Sequence, residues 1–203
     1  MQVRRPKLLG LAALFCAVVV LLLSALAGGA AGDQSNHQFR WDIISVNFAT
    51  GTVSAGGSAS ARANDDSKIT LTGSGTFRSN PGSPQDVSGG GTWQTFDKNG
   101  VPTGSGSYEV TGFVDFDLAP GTPPLPNDTI GNVADQHAGL AVLRIAYSDG
   151  ADGILVFSCH LVGSPDSIFE GITATKGFTD YWNRVAPPAP PGNANRTTFH
   201  ELK

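Results

Sequence analysis

One six-residue phrase occurs three times between Thr72 and Tyr108: Thr72-Gly-Ser-Gly-Thr-Phe77, Ser88-Gly-Gly-Gly-Thr-Trp93 and Thr103-Gly-Ser-Gly-Ser-Tyr108. The copies begin 16 and 15 residues apart, which suits one strand plus one reversal in an up-and-down sheet. Each copy runs small residues into a single large aromatic. Glycine weakens a strand through backbone entropy and lost packing, so glycines repeated inside strands require a reason. Two reasons apply: a bulge or kink that lets a sheet curl, and the close approach of another backbone. Repetition at near-constant spacing favours curling into a small barrel, with a two-sheet sandwich as the alternative. No helical pattern follows any copy, so none is a phosphate-cradling loop, which needs a glycine-rich turn opening a helix.

The rest of the chain extends this pattern. Alternation predicts strands over Phe39 to Phe48, Thr52 to Ala63, Lys68 to Arg78, Gly89 to Phe96, Ser105 to Leu118, Ala138 to Ser148, Gly153 to Gly163 and Gly171 to Asp180, and Thr197 to Leu202 can add one more. The first of these puts Trp41 and Ile43 on one face and Asp42, Ile44, Val46 and Phe48 on the other. In Ser105 to Leu118, the expected inward face is Tyr108, Val110, Val114, Phe116 and Leu118, and Glu109, Asp115 and Asp117 face solvent. Ser79 to Ser88 reads as a Pro/Gly loop. Asn127 to Gly131 suits a short capped turn, and Ser164 to Phe169 a single helical turn. The fold class is therefore all-β: one antiparallel barrel of about eight strands with almost no helix.

Compartment follows from the first 32 residues. Arg4, Arg5 and Lys7 precede an apolar run from Leu8 to Ala27 and then Gly28 to Gly32, the order of a secretory signal peptide. The run is also long enough for an uncleaved signal-anchor. Cleavage after Gly32 leaves 171 of the 203 residues, enough for one domain with a core. Removing those three cations from 13 leaves 10 against 17 acidic residues, a net charge of −7. That balance argues against nucleic acid or an anionic membrane as partner. Cys159 alone remains after cleavage, so stability rests on packing, without an internal disulfide. The expected organisation is a signal peptide over 1–32, a flexible lead over 33–38, a barrel domain over 39–184 and a proline-rich tail over 185–203.

Candidate site residues come from the hairpin 138–163 and the segment after it. With Ser148 opposite Gly153, Arg144 opposes Phe157, and both faces of this hairpin are apolar except for Arg144 and His160. A hairpin covered on both sides needs a second cover: the loop Ala119 to His137, whose Pro120, Pro123, Pro124 and Pro126 exclude regular structure, the C-terminal tail, or a second copy of the chain. Arg144, His160, Glu170, Tyr181 and Asn183 are the polar groups this arrangement offers to a ligand. The leading expectation is a secreted, cofactor-free barrel that binds a small apolar or amphipathic molecule. One rival is a cofactor-free cyclase or isomerase on converging Arg144, Glu170, Tyr181 and Asn183, and another is an oligomeric surface protein. His37, His137 and His200 are scattered without zinc-site spacing, and Asp149 to Gly153 is explained by turn chemistry rather than a calcium loop. Asn127-Asp-Thr129 and Asn195-Arg-Thr197 match the N-glycosylation acceptor pattern.

Gly91-Thr-Trp93 resembles the Gly-x-Trp of lipocalin and avidin barrels, at mid-chain here instead of near the N-terminus. The strand count and the proline loop resemble the architecture of allene oxide cyclase and dirigent barrels. These resemblances imply a ligand-holding or cofactor-free barrel and carry over no catalytic residue.

Overall fold

Strand alternation and glycine breaks together produce fourteen strands in a computed structural model that describes residues 36–80 and 86–203. The signal-peptide expectation and part of the loop after Ser79 lie outside the described residues. In chain order the strands are β1 (Gln38–Asn47), β2 (Thr52–Ala55), β3 (Ala59–Arg62), β4 (Lys68–Leu71), β5 (Ser74–Arg78), β6 (Val87–Phe96) and β7 (Pro102–Ala119). They continue as β8 (Asn127–Asp128), β9 (Gln136–Tyr147), β10 (Asp152–Cys159), β11 (Gly171–Lys176), β12 (Thr179–Tyr181), β13 (Asn183–Arg184) and β14 (Thr197–Leu202). Six of them close an antiparallel ring in the order β9, β14, β1, β5, β6, β7 and back to β9. β3 and β4 extend the sheet along β6, and β10 to β12 extend it from β9. The expected barrel is thus present, with six staves in the ring itself. β14, the optional last strand of the sequence reading, is one of the six.

The three repeats lie on β5, β6 and β7, and their terminal aromatics Phe77, Trp93 and Tyr108 are all buried. Both expected roles of the glycines are met. Gly89 has φ +122°, a backbone conformation open mainly to glycine. Its neighbour across the pair, Gly75, has no room for a side chain: a Cβ there would lie 2.1 Å from the Ser88 carbonyl oxygen and 2.8 Å from the Trp41 indole nitrogen. The curl therefore brings two backbones and a tryptophan into one narrow space. Inside the ring the core is aromatic. Phe39, Trp41, Phe77, Phe113, Phe116, Phe157 and Phe199 pack with neighbouring ring centroids 4.7–6.0 Å apart. Side chains fill this barrel, as expected at such a small strand number.

Five expectations change. Thr52 to Ala63 and Lys68 to Arg78 are each broken into two strands, β2/β3 and β4/β5: the first exchanges β1 for β4, and the second keeps β6 on one edge and exchanges β3 for β1 on the other. Gly171 to Asp180 folds back on itself at Gly177, whose φ of +57° makes the tight turn between β11 and β12. The hairpin register differs by three residues: Arg144 opposes Ile154, and Leu143 opposes Leu155. An odd shift reassigns which faces meet, so Ala141, Leu143, Ile145, Leu155, Phe157 and Cys159 share the core and Arg144 is exposed outside it. On β7, register shifts between Val110 and Gly112 and between Phe113 and Asp115 re-aim the strand. Phe113 and Phe116 then pack on the core, while Val114 and Leu118 are exposed. Ser164 to Phe169 forms turns without a helix.

Candidate functional site

The site arises where β1 leaves one neighbour for another. Gln38 to Asp42 pair with β5, and Ile44 to Asn47 pair with β2. At the junction the Ile43 N–H donates to the Gly73 carbonyl (2.9 Å), and the Gly57 N–H donates to the Ile43 carbonyl (3.0 Å). Gly57 passes so close that a Cβ would sit 1.8 Å from the Ile44 carbonyl oxygen. Trp41 and Ile43 point into the barrel, whereas Ile44 and Val46 join Val53 in a second, smaller apolar cluster with Phe48, Leu125 and Ile130 against it. The segment 120–135 crosses this outer face. β8 within it pairs in parallel with β2. Between the segment, the β1–β2 hairpin and β14 remains a half-open cavity of about 150 Å³.

Its apolar walls are Ile44, Val46, Val53, Leu125 and Leu161, and its polar walls include Gln136, His160, Glu170, Arg196 and Thr198. Glu170 precedes β11 and ties two strand ends together. One carboxylate oxygen accepts from the His160 backbone N–H (2.6 Å), the other from the Thr197 N–H (2.7 Å). Glu170 keeps accessible surface because it lines the cavity, yet protein encloses its carboxyl on nearly every side. Burial raises its pKa to about 7, against the opposing pull of those two N–H donors and the Arg196 charge. The His160 ring is held by its Nδ1, which donates to the Ile168 carbonyl (2.8 Å). The Arg196 guanidinium lies 4.8 Å from the Phe48 ring centroid and donates to the Pro188 carbonyl (3.1 Å).

Beside the cavity a chain of polar groups, buried except for the partly exposed Arg40, runs across β1, β14 and β9 to the 120–135 segment. Arg40 donates twice to Asp42 (2.7 and 2.8 Å), whose side chain is fully buried. Burial raises the Asp42 pKa, and the bonds and charge of Arg40 restrain the rise. Asp42 stands opposite Thr198, and Arg40 opposite His200. His200 Nε2 donates to Asp128 (2.7 Å), and the Gln136 amide donates to the same oxygen. The other Asp128 oxygen accepts from the N–H groups of Ile130 (2.7 Å) and Gly131 (3.2 Å). Burial works against the Asp128 charge, but these four hydrogen bonds outweigh it and hold its pKa below the usual carboxylate value.

Of the five residues singled out from the sequence, the structure brings His160 and Glu170 together at the cavity. Arg144 is exposed on the outside of β9. Tyr181 is buried on another face, beside Asp65 and Ser67. Asn183 is exposed and donates to Asn64 (3.0 Å). Sequence reasoning missed Asp42, Asp128, Gln136, Arg196 and His200. One signal was available: both faces of β1 are apolar, so a carboxylate between Trp41 and Ile43 had to be enclosed and partnered. Asn195, offered as a glycosylation acceptor, is buried, and its side chain accepts from the Ser60 N–H (2.7 Å). Asn127 donates to the Thr50 carbonyl (2.7 Å). Comparison with protein-family profiles, curated proteins and solved structures finds no match to this chain.

Proposed function

We propose that the chain binds a compact amphipathic small molecule in the cavity between β1, β2, β14 and the 120–135 segment. The observation that carries this reading is a half-open, largely apolar cavity of about 150 Å³ with a buried carboxyl, an imidazole and a guanidinium in its polar walls. Apolar walls with a few converging polar groups are the usual make-up of a ligand site. A cavity of about this size takes a benzene-sized group, so the ligand's buried part is a single ring or a short branched chain, with any larger part outside. The filled barrel interior supports a site outside the ring. A −7 mature chain with the basic-then-apolar leader of a secreted protein supports an extracellular setting, and N-terminal sequencing of protein from the culture medium tests it.

The test is titration of the purified chain with p-cresol, which carries one ring and one hydroxyl, followed by methyl NMR shifts. Shifts concentrated at Ile44, Val46, Val53 and Leu125, and abolished by Val53→Trp, are expected. Shifts spread over the surface or absent at these methyls sink the proposal. A cofactor-free isomerase would use the same cavity with Glu170 as base, and a carboxyl titrating at about 7 favours that second reading. It predicts that Glu170→Gln keeps ligand affinity and loses turnover.

A further inference from the structure

The 120–135 segment is the cavity's roof, and the way it is held sets it apart from the walls. Pro124 and Leu125 touch the cavity, and Pro123, Pro124 and Pro126 surround Leu125. Proline has no N–H, so over 123–126 the roof has a single backbone donor, and Pro124 and Leu125 pack on the apolar walls of the cavity. Its attachments lie at its two ends. At one, the Thr122 and Val162 backbones exchange hydrogen bonds (2.9 and 3.2 Å). At the other, Thr129 bonds to Val53 through backbone and hydroxyl (both 3.0 Å), and Asp128 plunges into the buried polar chain against β14 and β9.

This second attachment is the strong one. The Asp128 and His200 side chains are 1 % and 2 % exposed, and their bond is a carboxylate–imidazole contact shielded from water. His200 has no second anchor: its Nδ1 is buried without a partner among the described residues, so Asp128 is the group that satisfies this imidazole. Gly131 packs on the same ring, where a Cβ would lie 2.8 Å from Cδ2, so roof and imidazole fit each other closely. Gln136 is both a wall of the cavity and a partner of Asp128. One amide therefore touches the ligand space and the roof's anchor at once.

We propose that residues 120–135 form a lid over the cavity, that the Asp128–His200–Gln136 contact is its latch, and that opening this latch admits the ligand. The proposal rests on the cavity being the binding site, but its test does not require a ligand. In the full chain with Cys16 and Cys159 replaced by Ser and Ala, Val53→Cys places one thiol on the cavity wall. Its alkylation by iodoacetamide is followed by mass spectrometry, beside hydrogen exchange of the backbone amides. Asp128→Asn keeps the shape and the bonds from the Ile130 and Gly131 N–H groups but loses the charge that His200 meets. Expected are about tenfold faster alkylation of Cys at position 53 and about tenfold faster exchange confined to 120–135, the scale of one lost charge-assisted hydrogen bond. Unchanged alkylation, or acceleration spread equally over β7 and β9, overturns the latch. If Asp128→Asn does not fold, Gln136→Ala removes one arm alone and is read by the same criteria. Failure of p-cresol to bind the unaltered chain counts against the ligand reading and leaves the alkylation result to judge the lid.

Discussion

Glu170 joins the end of β10 to the start of β14 with one carboxylate, and this has a price in pH. Its pKa moves from an ordinary 4.5 to about 7 because burial outweighs the two N–H donors. The folded chain therefore holds a proton that the unfolded chain releases between about pH 4.5 and 7. The stabilisation is fully present below 4.5 and is lost as pH rises through 7. At about 1.4 kcal/mol for each pH unit, the group contributes at most roughly 3.5 kcal/mol across that range. Urea unfolding at pH 4.5 and 7.5 should show a larger loss in the unaltered chain than in Glu170→Gln; equal losses would contradict this assignment. Glu170→Gln is also expected to be less stable by about 1–3 kcal/mol at neutral pH, since its NH₂ group must face one of the two N–H donors. Residues of this kind were only partly legible beforehand. His160 and Glu170 stand ten positions apart around one loop, and local reasoning found both. Asp128 and His200 meet across 72 residues, and only a closed ring brings β14 beside β9 and under the roof. No spacing rule along the chain carries that information.

At the scale of strands, the breaks matter as much as the strands. Gly57 lets β1 exchange β5 for β2, and that exchange turns Ile44 and Val46 away from the aromatic core to build the second cluster. Gly57→Ala should therefore do more than cost stability. A Cβ 1.8 Å from the Ile44 carbonyl oxygen forces the two strands apart. A loss of about 1–3 kcal/mol in urea unfolding is expected, together with altered methyl shifts at Ile44 and Val53. Gly150, which has open space around it, is the control: Gly150→Ala meets only the strain of a φ of +90° and should leave those methyls unmoved. Strand positions were largely readable because alternation is local. Register and bulges were not, because the pattern Leu-Ala-Val-Leu-Arg-Ile at 140–145 is apolar in either phase. Only the choice of partner decides that Leu143 faces inward and Val142 outward.

For the molecule as a whole, the barrel is an aromatic solid with its half-open cavity outside the wall. Phe199 sits at the centre of that solid, against Phe77, Phe116 and Phe157, with ring centroids 6.0, 5.1 and 5.0 Å away. Phe199→Ala is expected to cost about 3–5 kcal/mol by chemical denaturation. A loss below about 1 kcal/mol would mean that the core is not held together at this point. All-β class and barrel closure were legible from the glycine repeats, whereas the place of β14 was not, since a strand behind Pro187 to Pro191 reads as an appendage. That place has a consequence for how the molecule comes into being. β14 lies between β1 and β9, with Gln38 beside Leu202, so the first stave made waits for a neighbour made after all the others. During synthesis the emerging chain cannot close its ring, and β1 keeps an unpaired edge until residues 197–202 arrive. The molecule therefore matures in one late step, when the last stave seats between β1 and β9.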